Sequence, residues 1–398
     1  MAEKSRPTVD IAVRTPEKYR LPVSELWILS ATRTPIGRFG GSLAKLSAVQ
    51  LGVVAVKAAL ERAGIQPEQV DLCVVGLARQ AGCGPNPGRQ ISVKSGIPVS
   101  SPAYTLNQAC ASGLSAVLAA ARHIAAGEAE VVVAAGTESM SNVPYLAQGV
   151  RWGTKMGHRP LVDAMYQDGL LCPLCDKIMG ETVEALAQEL SISRQQQDEY
   201  ALQSQQRAAA ADFSAELCEI PELSVDEHAR AGTTMESLGK LAPVFSQTGS
   251  VTAGNASGIT DGASALVVAS DAFVKKHNLQ PLARYLGGVV VGLEPARMGL
   301  GPVPAIQAYR QKFGSDFQRY EINEAFAAQV LACQQDLQLD PATLNVKGGS
   351  IAIGHPIGCS GARITATLLH GLRERGGGRG LASLCVSGGL GICAGFEV

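Results

Sequence analysis

At 398 residues the chain is too long for one ordinary core, so two or three domains are expected, and 46% hydrophobic residues are enough to fill them. With 34 basic and 35 acidic residues it nets -1, which speaks against nucleic acid and against a polybasic membrane-surface segment; no apolar run is long enough to span a bilayer. Charged residues are only 17% of the total, which points to surface hidden in a homodimer or homotetramer.

Residues 1–24 mix acids and bases and have neither the apolar stretch of a signal peptide nor the acid-poor composition of a transit peptide. They read as a surface arm, and the expected location is cytoplasmic. Leu26 to Leu29 reads as a strand and Ala48 to Ala63 as a helix closed by Gly64. Val70 to Val75 is a second strand, Ser112 to Ala126 a helix of small residues, and Val131 to Ala135 a buried strand running into Gly136. Alternating strands and helices of this kind predict an α/β architecture around a mixed sheet.

The region 140–258 changes character. It is loop-rich to about residue 180, after which Ser193 and Gln196 form a capping box for a polar helix through Ala211. It reads as an inserted, more solvated segment, dividing the chain into 25–139 plus 259–280, the insertion 140–258, and 281–398. Within it Cys172-Pro-Leu-Cys175 has the C-x-x-C spacing, but no second pair completes a zinc set, so the two read as loop thiols and no metal is expected. Beyond the insertion the α/β rhythm resumes, with strands at Ala265 to Ala269 and Val289 to Val291, a helix from Ser360 to Leu372, and a strand from Leu381 to Val386. Ser112-Gly113 and Ser360-Gly361 each open a helix followed by an apolar strand ending in glycine, an echo that fits two similar halves.

Four blocks carry chemistry. In Asn107-Gln108-Ala109-Cys110-Ala111-Ser112-Gly113, Cys110 sits where a turn opens a helix, and the first-turn amides favour thiolate and can hold an oxyanion. The competing reading is a buried structural thiol. In Gly348 to Arg363, glycines crowd His355 at a loop-to-helix junction, where it could take the proton of Cys110. His123, His158, His228, His277 and His370 read as ordinary surface or core residues. Cys385 ends a strand in Ser387-Gly388-Gly389 and could shuttle a proton. In Glu321-Ile322-Asn323-Glu324-Ala325-Phe326, the Asn323 amide either orients a water or carbonyl, or caps a helix.

In this order the four blocks resemble the thiolase family of acyl-CoA acyltransferases, and the resemblance runs from about Trp27 to Val398. Ala31-Thr32-Arg33-Thr34-Pro35-Ile36-Gly37, Gly136-Thr137-Glu138-Ser139-Met140-Ser141 and Val251 to Gly258 strengthen it. It implies a five-layered αβαβα fold of two similar halves with an inserted loop domain. By position it implies Cys110 as the acylated nucleophile and His355 as its activator. Cys385 becomes the second acid/base, and Asn323 the holder of a water that completes an oxyanion hole with His355. A second hole uses the backbone N–H groups of Cys110 and Ser387. Arg230 and Ser257 lie where coenzyme A is held, and Met179, Met298 and Phe326 line the acyl end. The implied reaction is reversible condensation of acyl-CoAs, or thiolysis of 3-ketoacyl-CoA, through acyl-Cys110; acyl-CoA and CoA are substrates, and no cofactor is expected.

The family commonly has glycine where Ser387 stands, and some short-chain members have histidine at the position of Ile178. A short-chain acetoacetyl-CoA enzyme is expected first. A longer-chain degradative thiolase and a catalytically weak CoA- or lipid-binding relative are the alternatives.

Overall fold

The computed structural model describes residues 25–398. The extension 1–24, expected as a surface arm, lies outside the described residues.

Nine strands form one mixed sheet: Leu26–Arg33 (β1), Leu72–Gly76 (β2), Ala103–Leu106 (β3), Val131–Ser139 (β4), Thr260–Ser270 (β5), Ala283–Gly292 (β6), Arg319–Ile322 (β7), Arg379–Val386 (β8) and Leu390–Glu397 (β9). Their order is β7-β8-β9-β6-β1-β5-β4-β2-β3. A two-residue strand, Gly37–Arg38, pairs with β5 off this path. Outward from β1 the neighbours are antiparallel β5, antiparallel β4, then parallel β2 and β3. Outward from β6 they are antiparallel β9, antiparallel β8 and parallel β7. The two series repeat one topology. They meet only where β1 and β6 pair at Leu26↔Tyr285, Trp27↔Arg284 and Ile28↔Ala283. β4 is buried along its whole length, the signature of a strand covered on both faces.

Helices supply the cover. Ala48–Ala63 (α1) starts on a Ser47/Gln50 capping box, ends on left-handed Gly64, and packs on the outer face of β1, β4 and β5. Ser112–Ala125 (α2) and Ile357–Glu374 (α7) fill the space between the two halves, and Pro302–Phe313 (α5, counting the helices named next) covers β6 and β9 from outside. The layers therefore run helix, sheet, helix, sheet, helix. The central core interdigitates Leu114, Val117 and Leu118 with Ile364, Leu368 and Leu384.

The two Ser-Gly pairs meet at the middle. A Cβ on Gly113 would lie 2.6 Å from the backbone N of Ala362, and one on Gly361 would run into the backbone of Leu114. Only glycine permits this approach of two helices.

The region 140–258 contains two short hairpins (Tyr145–Leu146 with Val162–Asp163, and Leu171–Cys172 with Lys177–Ile178) and the helices Met179–Glu189 (α3) and Arg194–Ala210 (α4). α4 carries the Ser193/Gln196 capping box that the spacing predicts. Both helices pack on Ala327–Leu337 (α6) of the second half.

Candidate active site

A cavity of about 530 Å³ opens where the ends of α2, α7 and β8 converge with the inserted region. Cys110, His355, Cys385 and Ser387 line it, as do Met179, Arg230, Ser257, Met298 and Phe326. Asn323 stands directly behind His355. The residues singled out from the sequence thus converge on one chamber.

Cys110 sits on a single 3-10 turn, Ala109–Ala111, that leads into α2. Ala109 has φ +47°, a left-handed conformation that strains a residue with a Cβ. Side chains hold it there. Asn107 Oδ1 accepts from Ala109 N at 2.9 Å, and Asn107 Nδ2 is anchored on Ala78 O at 3.0 Å. Ser112 Oγ donates to Ala109 O at 2.7 Å and accepts from Gln108 N at 2.9 Å. The strained turn aims the Cys110 thiol away from its helix and into the cavity. Burial pushes that thiol above its ordinary value; the Arg79 charge and the N–H groups of Ser387 and Cys110 work the other way. Those two N–H groups therefore face the sulfur, where charge develops in acyl transfer.

The turn after β8 presents Ser387. Gly388 and Gly389 have φ +86° and +81°, whereas Ser387 is not left-handed. Glycine is required at the latter two positions and not at the first, so a serine there keeps its donor without backbone strain. Cys385, just before the turn, is 1% exposed. Burial pushes its thiol well up, and the neighbouring Cys110 adds to this. The two thiols resist ionising together.

His355 is positioned from both sides. Its backbone N donates to Gly258 O at 3.2 Å. Its Nδ1 lies 2.6 Å from Ser360 Oγ, and that hydroxyl donates to Pro356 O at 3.0 Å. A hydroxyl has one proton to give, so the network assigns the Nδ1–H tautomer and leaves Nε2 as a free base. Burial, with the charges of Arg363 and Arg79, holds the imidazole down at about 3, so it is neutral at physiological pH.

The Asn323 amide caps no helix. It follows β7, with Nδ2 3.4 Å from His355 Nε2 and Oδ1 accepting from Ser350 Oγ at 2.7 Å. Ser350 Oγ in turn accepts from Arg363 Nη2 at 2.6 Å. Next along, Glu324 accepts from Tyr200 (2.9 Å), Ser204 (2.7 Å) and Ile351 N (3.1 Å). It anchors the Asn323 turn to α4.

At the cavity mouth Arg38, His228 and Arg230 gather. His228 reads from the sequence as an ordinary histidine but lines the cavity, its pKa lowered by burial and by Arg230 and Arg38. Its spacing of two from Arg230 was the available signal. Arg38 and Arg230 make this rim cationic and suited to phosphate. Phe245 and Phe326 pack edge to face at 6.1 Å over the apolar wall formed with Met179 and Met298.

The C-x-x-C thiols lie on the second short hairpin, Cys172 buried and Cys175 partly exposed. No cluster of three potential metal ligands occurs among the described residues.

The family described as "Thiolase, N-terminal domain" matches residues 26–272, and "Thiolase, C-terminal domain" matches residues 279–398. The chain is 46% identical over 391 residues to an acetyl-CoA acetyltransferase of Cupriavidus necator, covering 94% of this chain and all (100%) of that one. It is 45% identical over 387 residues to the human mitochondrial 3-ketoacyl-CoA thiolase, covering 92% and 96%. A crystal structure of the human mitochondrial enzyme in complex with CoA superposes with a TM-score of 0.92 at 44% identity, covering 94% of this chain and 98% of that one.

Proposed function

The chain belongs to the thiolase family, and on that premise we propose that it is an acyl-CoA C-acyltransferase whose short-chain reaction interconverts two acetyl-CoA with acetoacetyl-CoA and CoA. The acetyl-CoA acetyltransferases at 43–46% identity support that substrate choice. The observation that carries the mechanism is the presence of two thiols, Cys110 and Cys385, and a neutral imidazole, His355, on one cavity.

Nε2 of His355 takes the Cys110 proton, and the thiolate attacks the thioester carbonyl. Oxyanion charge falls toward the N–H groups of Cys110 and Ser387. CoA leaves with a proton from Cys385. The Cys385 thiolate then removes an α-proton from a second acyl-CoA. The enolate oxygen is held by His355 and an Asn323-bound water while its carbon attacks acyl-Cys110, breaking the thioester and releasing the Cys110 thiolate, which recovers its proton from His355. The high proton affinity of Cys385 suits it to that α-proton. In reverse, the Cys110 thiolate attacks the 3-keto carbon, the carbon–carbon bond breaks to leave acyl-Cys110 and an enolate that is protonated by Cys385, and CoA thiolate then takes the acyl group from Cys110.

The region 140–258 supplies Arg230 and Ser257 to the cavity, and we read it as the part that holds coenzyme A. Coenzyme A is a substrate in this scheme and no further cofactor is called for. The low charged fraction supports a homodimer or homotetramer, and ten free thiols support a cytoplasmic location. No helix among the described residues is long and apolar enough to cross a membrane. A longer-chain reading has one observation behind it: Ile178 makes the acyl wall apolar.

The test is intact-protein mass after mixing with acetyl-CoA, acetoacetyl-CoA and a long 3-ketoacyl-CoA in turn. An acetyl adduct mapping to Cys110, lost in Cys110→Ser, is expected. Cys385→Ala is expected to acylate slowly and not to condense. Near-normal turnover by Cys110→Ser would refute the mechanism.

A further inference from the structure

Arg79 transfers no proton in the mechanism above and enters it only through its charge on Cys110 and His355, and its surroundings are unusual for an arginine. It follows β2 and is 7% exposed. Its Nε has no hydrogen-bond partner, and among the described residues no carboxylate pairs with its guanidinium. Glu138, whose charge it feels, commits its oxygens to backbone donors: Arg79 N at 3.0 Å, Ala78 N at 3.1 Å and Gly358 N at 2.8 Å. The guanidinium is pinned against the cavity wall at Gly169, where any Cβ would collide with its Nη2, Nε and Cζ. Tyr166, Gly169, Leu170 and Arg79 line the same chamber as Cys110. Glu138 is a nearby opposite charge but makes no direct bond to the guanidinium, whose donors are therefore open to an anionic ligand in the cavity.

Coenzyme A phosphates do not suit this place. Arg38 and Arg230 are exposed at the rim, whereas Arg79 is buried and follows Ala78, which packs in one apolar cluster with Cys110 and Leu170. An anion that meets Arg79 therefore does so beside the reacting sulfur, where the acyl group is carried. We propose that Arg79 is a specificity-determining residue that receives the terminal carboxylate of an acyl group carried on Cys110, so that the enzyme turns over thioesters of dicarboxylic acids in addition to acetyl groups. A guanidinium fork meets a carboxylate with two parallel charge-assisted bonds. The inference rests on the thiolase reading and adds an acyl class to it.

The experiment compares CoA-dependent thiolysis of matched pairs: 3-oxoadipyl-CoA against 3-oxohexanoyl-CoA, and 3-oxosuberyl-CoA against 3-oxooctanoyl-CoA. The wild-type kcat/KM ratio within at least one pair is expected to favour the carboxylate. Arg79→Met is expected to lower that ratio about 10- to 100-fold, the value of a charge-assisted pair, and Arg79→Lys to lower it less. If Arg79→Met does not fold, the wild-type ratio alone decides. Two results overturn the proposal: a wild-type ratio below one for both pairs, or equal slowing of charged and uncharged substrates in Arg79→Met, which would make Arg79 a partner of the Cys110 thiolate only. Failure to cleave any of the four substrates, or acetoacetyl-CoA, would count against the thiolase reading itself.

Discussion

Cys110, His355 and Cys385 were legible in the sequence because each sits in or beside a run of glycines and small residues that packing alone does not call for, whereas Asn323, in Glu321-Ile322-Asn323-Glu324-Ala325-Phe326, was legible only through the order of the four blocks. What fixes them was not legible. The strained Ala109 looks like any alanine, and the Arg363–Ser350–Asn323 chain joins positions that only the fold brings together. Ser350→Ala removes the hydroxyl that holds the Asn323 amide and also takes from the buried Arg363 guanidinium the one side-chain hydrogen bond it makes. It is expected to keep the acylation burst and lower kcat for condensation about 10-fold, the worth of one buried hydrogen bond; rapid-quench against steady-state rates will show the split. His355 gives a pH prediction. Its folded value of about 3 lies below the ordinary 6.5. Between these the unfolded chain binds the extra proton, so stability is complete above 6.5 and is lost as pH falls toward 3. The slope reaches about 1.4 kcal/mol per pH unit. Melting of wild type and His355→Gln from pH 7 to 4.5 should show a flatter fall in the variant; parallel curves would contradict the neutral, buried assignment.

Two elements, α2 and α7, follow directly on the turns that hold Cys110 and His355 and are also a contact between the halves. The Ser-Gly echo announced two helices of similar origin, but nothing in either segment says that each glycine faces the other helix. Element ends were legible where a cap marks them, as at Ser47 and Ser193. They were not where the helix continues a glycine-rich loop: α7 begins at Ile357, three residues before the expected Ser360. α5 opens with Pro302 and Pro304, so its start is punctuated like a loop. Because the Gly361 neighbour is backbone rather than a movable side chain, Gly361→Ala must push the helices apart. Overpacking of this kind costs about 3 kcal/mol. Denaturant unfolding is expected to show that loss. Activity is expected to fall with it, since His355 immediately precedes α7 and the Cys110 turn leads into α2.

Across the whole molecule, the inserted region is held by a buried ion-pair centre that composition cannot reveal, because its members are far apart in the chain. Arg33, the last residue of β1 and fully buried, pairs with Glu216 at 2.6 Å and with both oxygens of Asp226 at 2.7 and 2.9 Å. Its guanidinium also lies over the Phe213 ring at 4.9 Å. Glu216 accepts from Thr367 on α7 at 3.1 Å, and Asp226 from Ile36 N at 2.9 Å. One cation thus ties the first strand, the middle helix layer and the insertion together. Glu227 then takes the N–H groups of Arg38 and Ser42, and His228 and Arg230 follow it into the cavity rim. The rim is placed by this anchor. Arg33→Met keeps the volume but leaves two buried carboxylates unpaired, a loss of about 3–5 kcal/mol. The milder Asp226→Asn keeps Arg33 paired with Glu216 and loosens only the step leading to the rim. Asp226→Asn is therefore expected to raise KM for CoA substrates several-fold with little change in the acetylated fraction of Cys110 at saturation. A fall in that fraction with KM unchanged would mean that the anchor acts on the reacting centre and not on the rim.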